Sequence, residues 1–345
     1  MTMARTTVYN NIISEEKLKK INPENLELLE EFVEYLHTTD KADGTVKQYI
    51  NDIRICFVWI LEKANNKHFT EFNKRDMMKY QNYCLNTLKL SPNRIRRLRA
   101  SISSLSNFIE NVLDEYYPDF RNIINKIPAP TKTTVREKTV LTDQQCQNLL
   151  DVLVEQKQYQ KACLFALAWA SGSRKSELLR FKVSYFTDEN IMFGSLYKTP
   201  EKMKTKGRGK LGKQINRYVL VNKFKPYFDL WMEERKQLNI DCDELFVAIR
   251  KDGNYRPMEV SHADYIAKKF GEFLNVDFYF HCMRHNFTTG LSQAGVPALV
   301  IKEIVGWNSI EMVSVYDDTE IDDKLGNYFN ESGVMQSSTK SLSDL

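Results

Sequence analysis

The sequence predicts a mainly α-helical protein with a small β-sheet, folded as two units. Apolar residues recur at three- and four-residue spacing over most of the chain, which is the helical period. The stretch from about Asn190 to Val221 is instead richer in β-branched, aromatic and glycine residues and reads as short strands. The run Pro128-Ala-Pro130-Thr-Lys-Thr-Thr-Val-Arg-Glu-Lys138 is rich in Pro, Thr and charge and reads as a linker between the units.

In chain order, residues 1–24 read as a loose, flexible lead-in and 25–127 as a helical unit. Leu28, Leu29, Phe32, Val33 and Leu36 mark its first helix, which Lys41-Ala-Asp-Gly44 breaks. A second helix runs from about Thr45 through Tyr49, Ile53, Phe57, Trp59 and Ile60, and a third covers roughly 74–88. Ser91-Pro92 opens a fourth, with proline in its first turn and Ile95, Leu98, Ile102, Leu105 and Ile109 along one side. After the linker at 128–138, the second unit covers 139–330. Helices are expected at 143–155 and 158–170, the latter stopped by Gly172. Another follows Ser173, whose hydroxyl is suited to cap its free N–H groups. Helices resume after the strands at about 224–237 and 262–274, and short ones alternate with Gly and Pro breaks beyond. The Ser-rich tail, 331–345, is expected to be disordered.

Bulk properties exclude some classes. With 345 residues and 42% hydrophobic content the chain can bury a sizeable core. No stretch is long and apolar enough to span a bilayer, and the polar N-terminus lacks a signal-peptide core, so a cytoplasmic protein is expected. A net charge of +4 does not by itself announce a nucleic-acid binder. The six cysteines form no C-x-x-C pair and read as reduced, buried thiols rather than disulfides or a zinc cluster.

Charge distribution says more than the sum. Asn93-Arg94-Ile-Arg96-Arg97-Leu-Arg99 holds four arginines and no acid. On a helix packed through Ile95, Leu98 and Ile102, the other faces would present Arg94, Arg96, Arg97 and Arg99 to phosphate or guanine edges, or simply to solvent. Between Lys202 and Arg217 lie seven bases, three glycines and no acid, the composition of a basic hairpin tip or of a solvated loop. Lys204 and Arg208 are its candidate DNA contacts. One basic element per unit would let the protein grip a duplex.

Three further segments suggest chemistry. In Ala170-Ser-Gly-Ser-Arg174-Lys-Ser-Glu177, Arg174 is expected in the first turn of a helix, where a cation asks for an anion. In Phe280-His281-Cys-Met-Arg284-His285, His281 and Arg284 share a helix face. His281 and His285 are four apart, but no acid lies between them and an arginine stands beside His285, so no metal site is expected. Finally Tyr316, in Val313-Ser-Val-Tyr316, follows Gly306-Trp307 by nine residues.

In this order the residues resemble the tyrosine recombinases of the phage-integrase kind. The family pattern is an arginine in a T/S-G-x-R-x-S-E-L segment, a basic hairpin, H-x-x-R-H, G-[H/W], and a tyrosine about nine residues on. The likeness runs from about Leu141 to Tyr316, and 26–127 resembles the family's helical, SAM-like core-binding domain in position and length. The resemblance implies an α+β catalytic domain and a site-specific recombinase that cuts DNA through a 3′-phosphotyrosyl link, with neither metal, ATP nor other cofactor. Tyr316 would be the nucleophile, Arg174 and Arg284 the phosphate ligands, and His281 a hydrogen-bond or proton partner. Trp307 would donate through its indole N–H. A hairpin lysine would protonate the leaving oxygen: Lys206, which precedes a glycine as in the family, or Lys204. Glu177 resembles the acidic partner of the first arginine, in a supporting role. The resemblance also implies double-stranded DNA with short inverted-repeat sites, a homotetramer on paired sites, and a C-terminal segment, 321–330, exchanged between copies. A non-catalytic DNA-binding regulator on the same scaffold and a type IB topoisomerase are the competing readings.

Overall fold

The computed structural model describes residues 8–132, 139–205, 209, 211–316, 329–330 and 333–334. The chain divides near residue 137 into two compact units.

The first is helical throughout: α1 (Val8–Ile12), α2 (Glu15–Lys20), α3 (Pro23–Thr38), α4 (Asp43–Lys63), α5 (Lys74–Asn82) and α6 (Pro92–Val112). Local chemistry sets the starts. The Asn73 side chain accepts from the Asp76 N–H while Asp76 accepts from the Asn73 N–H, a reciprocal cap on α5. Ser91 caps α6, with proline next to it. Phe32, Ile53, Phe57, Ile60, Leu98, Ile102 and Ile109 form one buried core. The lead-in departs from expectation: α1 and α2 occupy it, and Ile12 and Ile21 are buried in the same core. Both helices are too short to show a repeating period, so only burial reveals them. A π-helical turn, Tyr83–Thr87, continues α5 to nearly the expected end.

The second unit starts with α7 (Asp143–Glu155), α8 (Tyr159–Ser171) and the one-turn α9 (Lys175–Leu178). Strands β1 (Ile191–Met192), β2 (Leu196–Lys198), β3 (Met203–Thr205), β4 (Lys213–Ile215) and β5 (Tyr218–Leu220) follow. Then come α10 (Val221–Gln237), β6 (Val247–Ile249), β7 (Tyr255–Pro257), α11 (Val260–Leu274), α12 (Cys282–Gln293), α13 (Ala298–Val305) and α14 (Glu311–Tyr316). A short pairing of β8 (Phe329–Asn330) with β9 (Gly333–Val334) closes the described chain. Strands β1, β2 and β5 form an antiparallel sheet, while β3 and β4 form a separate hairpin with Lys204 opposite Gln214. The hairpin of β6 and β7 was not expected, although Asp252-Gly253 at its tip is a turn signal.

Helix α8 is the axis of this unit. Every residue from Ala162 to Ser171 is buried, so it packs on all sides, against α7, α10 and α12 among others. Gly172 ends it in the left-handed region (φ 55°), and a Cβ there would lie 2.7 Å from Phe287 Cδ1, so both backbone and packing require glycine. A smaller apolar cluster of Phe287, Ile301, Val305, Trp307 and Val313 joins α12, α13 and α14. Five cysteines are buried, Cys242 is half-buried, and all six are free thiols. No described helix is long and apolar enough to cross a membrane.

Candidate active site

Two helix C-termini and one capping carboxylate organise the site. A helix ends with carbonyl groups that lack intrahelical donors and carry the negative end of its dipole. The ends of α8 and α13 both meet Arg284. Its Nη1 donates to the Gly172 carbonyl (3.0 Å) and its Nη2 to the Val305 carbonyl (2.7 Å). The guanidinium also lies over the Trp307 ring, 5.1 Å from its centroid. Arg284 is 0% exposed and Trp307 only 4%. The turn that sets Trp307 depends on Gly306, at φ 78°, where a Cβ would run into the Ile215 side chain.

Arg174 corrects two expectations. It stands at the N-cap position of α9 rather than in the first turn, and no N-cap side chain accepts from the helix N–H groups, a role expected of Ser173. The Ser173 hydroxyl is buried with no hydrogen-bond partner. The anion that a cation at this place demands comes from within the helix. Glu177 Oε2 accepts the Arg174 backbone N–H (3.0 Å), and Oε1 accepts from Arg174 Nη1 (2.8 Å). Glu177 is 1% exposed, so its charge needs more than one half-exposed partner.

The second partner is Arg217, which the sequence marks as the end of a basic run and the start of a returning strand but not as a site residue. Its Nη2 donates to Glu177 Oε2 and its Nη1 to the Val305 carbonyl (3.0 Å). Burial, and then the neighbouring Arg284 and Arg174 charges, push its guanidinium well below the usual arginine range. Its neighbour on the hairpin, Lys213, was also passed over. Lys213 Nζ reaches the Gly306 and Trp307 carbonyls and Asn308 Oδ1 at 3.4, 3.5 and 3.2 Å. The only sequence signal for either was an unbroken basic run leading into a strand.

His281 is half-buried at the N-cap of α12, one turn before Arg284. The rings of His281 and His285 stand edge to face, 6.4 Å apart. Among the described residues no three His, Cys, Asp or Glu side chains cluster as metal ligands do. Tyr316 ends α14, which the buried Val313 ties to the small cluster beside Trp307. Lys204 is exposed on β3, its carbonyl accepting from Arg180 Nη1 (2.6 Å). Lys206 and Arg208 lie outside the described residues, as does 321–328.

The arginine row on α6 divides. Asp52, fully buried on α4, accepts from Arg94 Nη2 (2.6 Å), Gln48 Nε2 (2.7 Å) and Ser101 Oγ (2.9 Å), with Arg97 Nε 3.7 Å away. Arg96 donates to the Pro130 carbonyl (2.6 Å). Arg97 is exposed. Arg99 is not available as a DNA contact: it is 6% exposed and donates to Gln81 Oε1 (2.6 Å) and to the Ile124 (2.7 Å) and Ile127 carbonyls. Asp52 was missed, although an acid within an apolar helical run opposite an arginine-rich helix is a readable signal.

The phage integrase family model matches residues 139–321, and a model of the phage integrase N-terminal SAM-like domain matches 28–119. The SPbeta prophage-derived recombinase-like protein YomM of Bacillus subtilis (strain 168) is 32% identical over 256 residues, covering 73% of this chain and 74% of the relative. Tyrosine recombinase XerA of Pyrococcus furiosus is 24% identical over 294 residues, covering 84% and 88%. In fold, the chain is similar to the XerH site-specific recombinase bound to palindromic difH substrate (TM-score 0.60, 16% identity, 82% of this chain and 78% of that one). It is equally similar to a lambda integrase dimer bound to a COC′ core site (TM-score 0.60, 15% identity, 90% and 83%). The chain therefore belongs to the phage integrase family and is a tyrosine site-specific recombinase.

Proposed function

We propose that the protein cuts and rejoins double-stranded DNA at short inverted-repeat sites through a covalent 3′-phosphotyrosyl intermediate, using neither metal nor ATP. The observation that carries this reading is the gathering of Arg174, Arg217 and Arg284 around one carboxylate and two helix ends. Three guanidinium groups from separate elements brought together in this way are donors suited to the oxygens of a phosphodiester.

In the reaction the Tyr316 hydroxyl oxygen attacks a backbone phosphorus. The new O–P bond forms as the bond to the 5′-oxygen breaks. The tyrosine proton passes to His281, and the departing oxygen takes a proton from Lys204 or Lys206 and leaves as a 5′-hydroxyl. Phenol has a reference pKa near 10, so the attack depends on the cationic surroundings and on a proton acceptor. Arg174 and Arg284 hold the non-bridging oxygens as charge builds, and the Trp307 indole N–H adds a donor. Attack by another strand's 5′-hydroxyl reverses the step and reseals the backbone. The ester energy is kept in the tyrosyl link, so no outside energy source is required. Arg284 is fully covered in the protein without DNA, so this assignment requires the pocket to open when DNA binds. On unit 1, Arg94, Arg96 and Arg97 of α6 supply phosphate contacts. The working form is a homotetramer on paired sites in the cytoplasm, with 321–330 exchanged between copies.

A nicked suicide duplex carrying the site tests the reading. Wild type should form a covalent DNA–protein adduct, undiminished by a metal chelator, and Tyr316→Phe should form none. Binding without any wild-type adduct would leave a DNA-binding regulator, and site-independent relaxation of plasmids would mark a topoisomerase.

A further inference from the structure

We infer that Arg217 is a positioning residue of the recombination reaction, which fixes Arg174 and Arg284 relative to each other through Glu177 and the Val305 carbonyl. This deepens the reading above, and rests on its assignment of Arg174 and Arg284 to the scissile phosphate.

The link is short and buried. Arg217 joins Glu177, which holds both the backbone N–H and the Nη1 of Arg174. Through its other terminal nitrogen it shares the Val305 carbonyl with Arg284. Each of the two arginines thus lies one acceptor away from Arg217. Arg217 is itself anchored from behind. Its N–H donates to Thr199 Oγ1 (2.9 Å), its carbonyl accepts from the Thr199 N–H (2.9 Å), and Asn216 Nδ2 donates to the Thr199 carbonyl (2.7 Å). Thr199 and Arg217 are 2% and 1% exposed, so the guanidinium is placed by packed backbone rather than by a free side chain.

Electrostatics gives the link a purpose beyond stapling. Arg174 and Glu177 alone would form a neutral pair, with the buried carboxylate competing with any phosphate for the guanidinium. A second arginine on the same carboxylate restores a positive charge beside Arg174. Lysine is no substitute, since a point ammonium does not bridge a carboxylate and a carbonyl as a planar fork does.

The test is single-turnover cleavage of a nicked duplex whose scissile phosphate carries sulfur at one or the other non-bridging oxygen. Two arginines in fixed places touch the two oxygens unequally, so wild type should cleave the two diastereomers at different rates. Arg217→Met should slow cleavage of the ordinary phosphodiester by on the order of a hundredfold, with site affinity within about twofold. It should also pull the diastereomer ratio toward one. Arg217→Lys should fall between, and carries the test if the Met variant does not fold. A merely structural role predicts a rate loss in step with a lowered melting temperature and an unchanged ratio. That result, a wild-type ratio of one, or a variant as fast as wild type would overturn the inference. Absence of any wild-type adduct would instead overturn the reaction assigned above.

Discussion

The two groups of arginines in this protein differ in what accepts their hydrogen bonds. On α6, Arg94 and Arg97 share Asp52, and Arg99 is consumed by one amide and two carbonyls. In the second unit, Arg174 and Arg217 share the Glu177 carboxylate, and Arg217 and Arg284 share the Val305 carbonyl at a helix end. The α6 acceptors lie within one helical unit, whereas those of the second unit include helix ends, where free carbonyls gather guanidinium groups from separate elements.

Three substitutions press on this difference. Arg174→Ala should have the largest effect, slowing single-turnover cleavage by roughly 10²–10³-fold while the protein still binds its site. A rate within about fivefold of wild type would remove Arg174 from the reaction. Arg99→Ala should act on stability instead. It leaves the Ile124 and Ile127 carbonyls without their donor, at a cost on the order of 3 kcal/mol in urea unfolding. An undiminished unfolding free energy would return Arg99 to the surface group. Arg97→Ala should have the smallest effect, leaving stability within about 0.5 kcal/mol and reducing the slope of log affinity against log salt by about one. A slope equal to that of wild type would show that Arg97 meets no phosphate.

How much of this was legible depends on whether the signal was local. The helices of the first unit followed from the spacing of Leu28, Phe32 and Leu36 and of Ile95, Leu98 and Ile102, and these residues are buried as that spacing requires. The strands between Asn190 and Val221 showed in composition. Partnership was not legible. Ser173 and Arg174 are adjacent in sequence, and nothing local shows that Arg174 takes the N-cap position with its N–H held by the Glu177 side chain. Arg99 looked like Arg97 because both lie in one basic run, whereas 100° of helical rotation per residue sends one inward and the other outward. Arg217 was hidden because its acceptors, Glu177 and Val305, lie 40 and 88 residues away.

The complete covering of Arg284 bears on how the enzyme lives among small anions. Inorganic phosphate and free nucleotides offer one or a few charges, too little to lift a guanidinium off two carbonyls and out from under an indole. A duplex brings a row of phosphates, and on the proposed reading its contacts elsewhere on the protein would offset the cost of opening the pocket. With Arg284 as the proposed phosphate ligand, the burial would work as an energetic filter, admitting a polymer and refusing its monomers. Inhibition by phosphate, measured with and without bound duplex, reads this directly: it should appear only once DNA has opened the site.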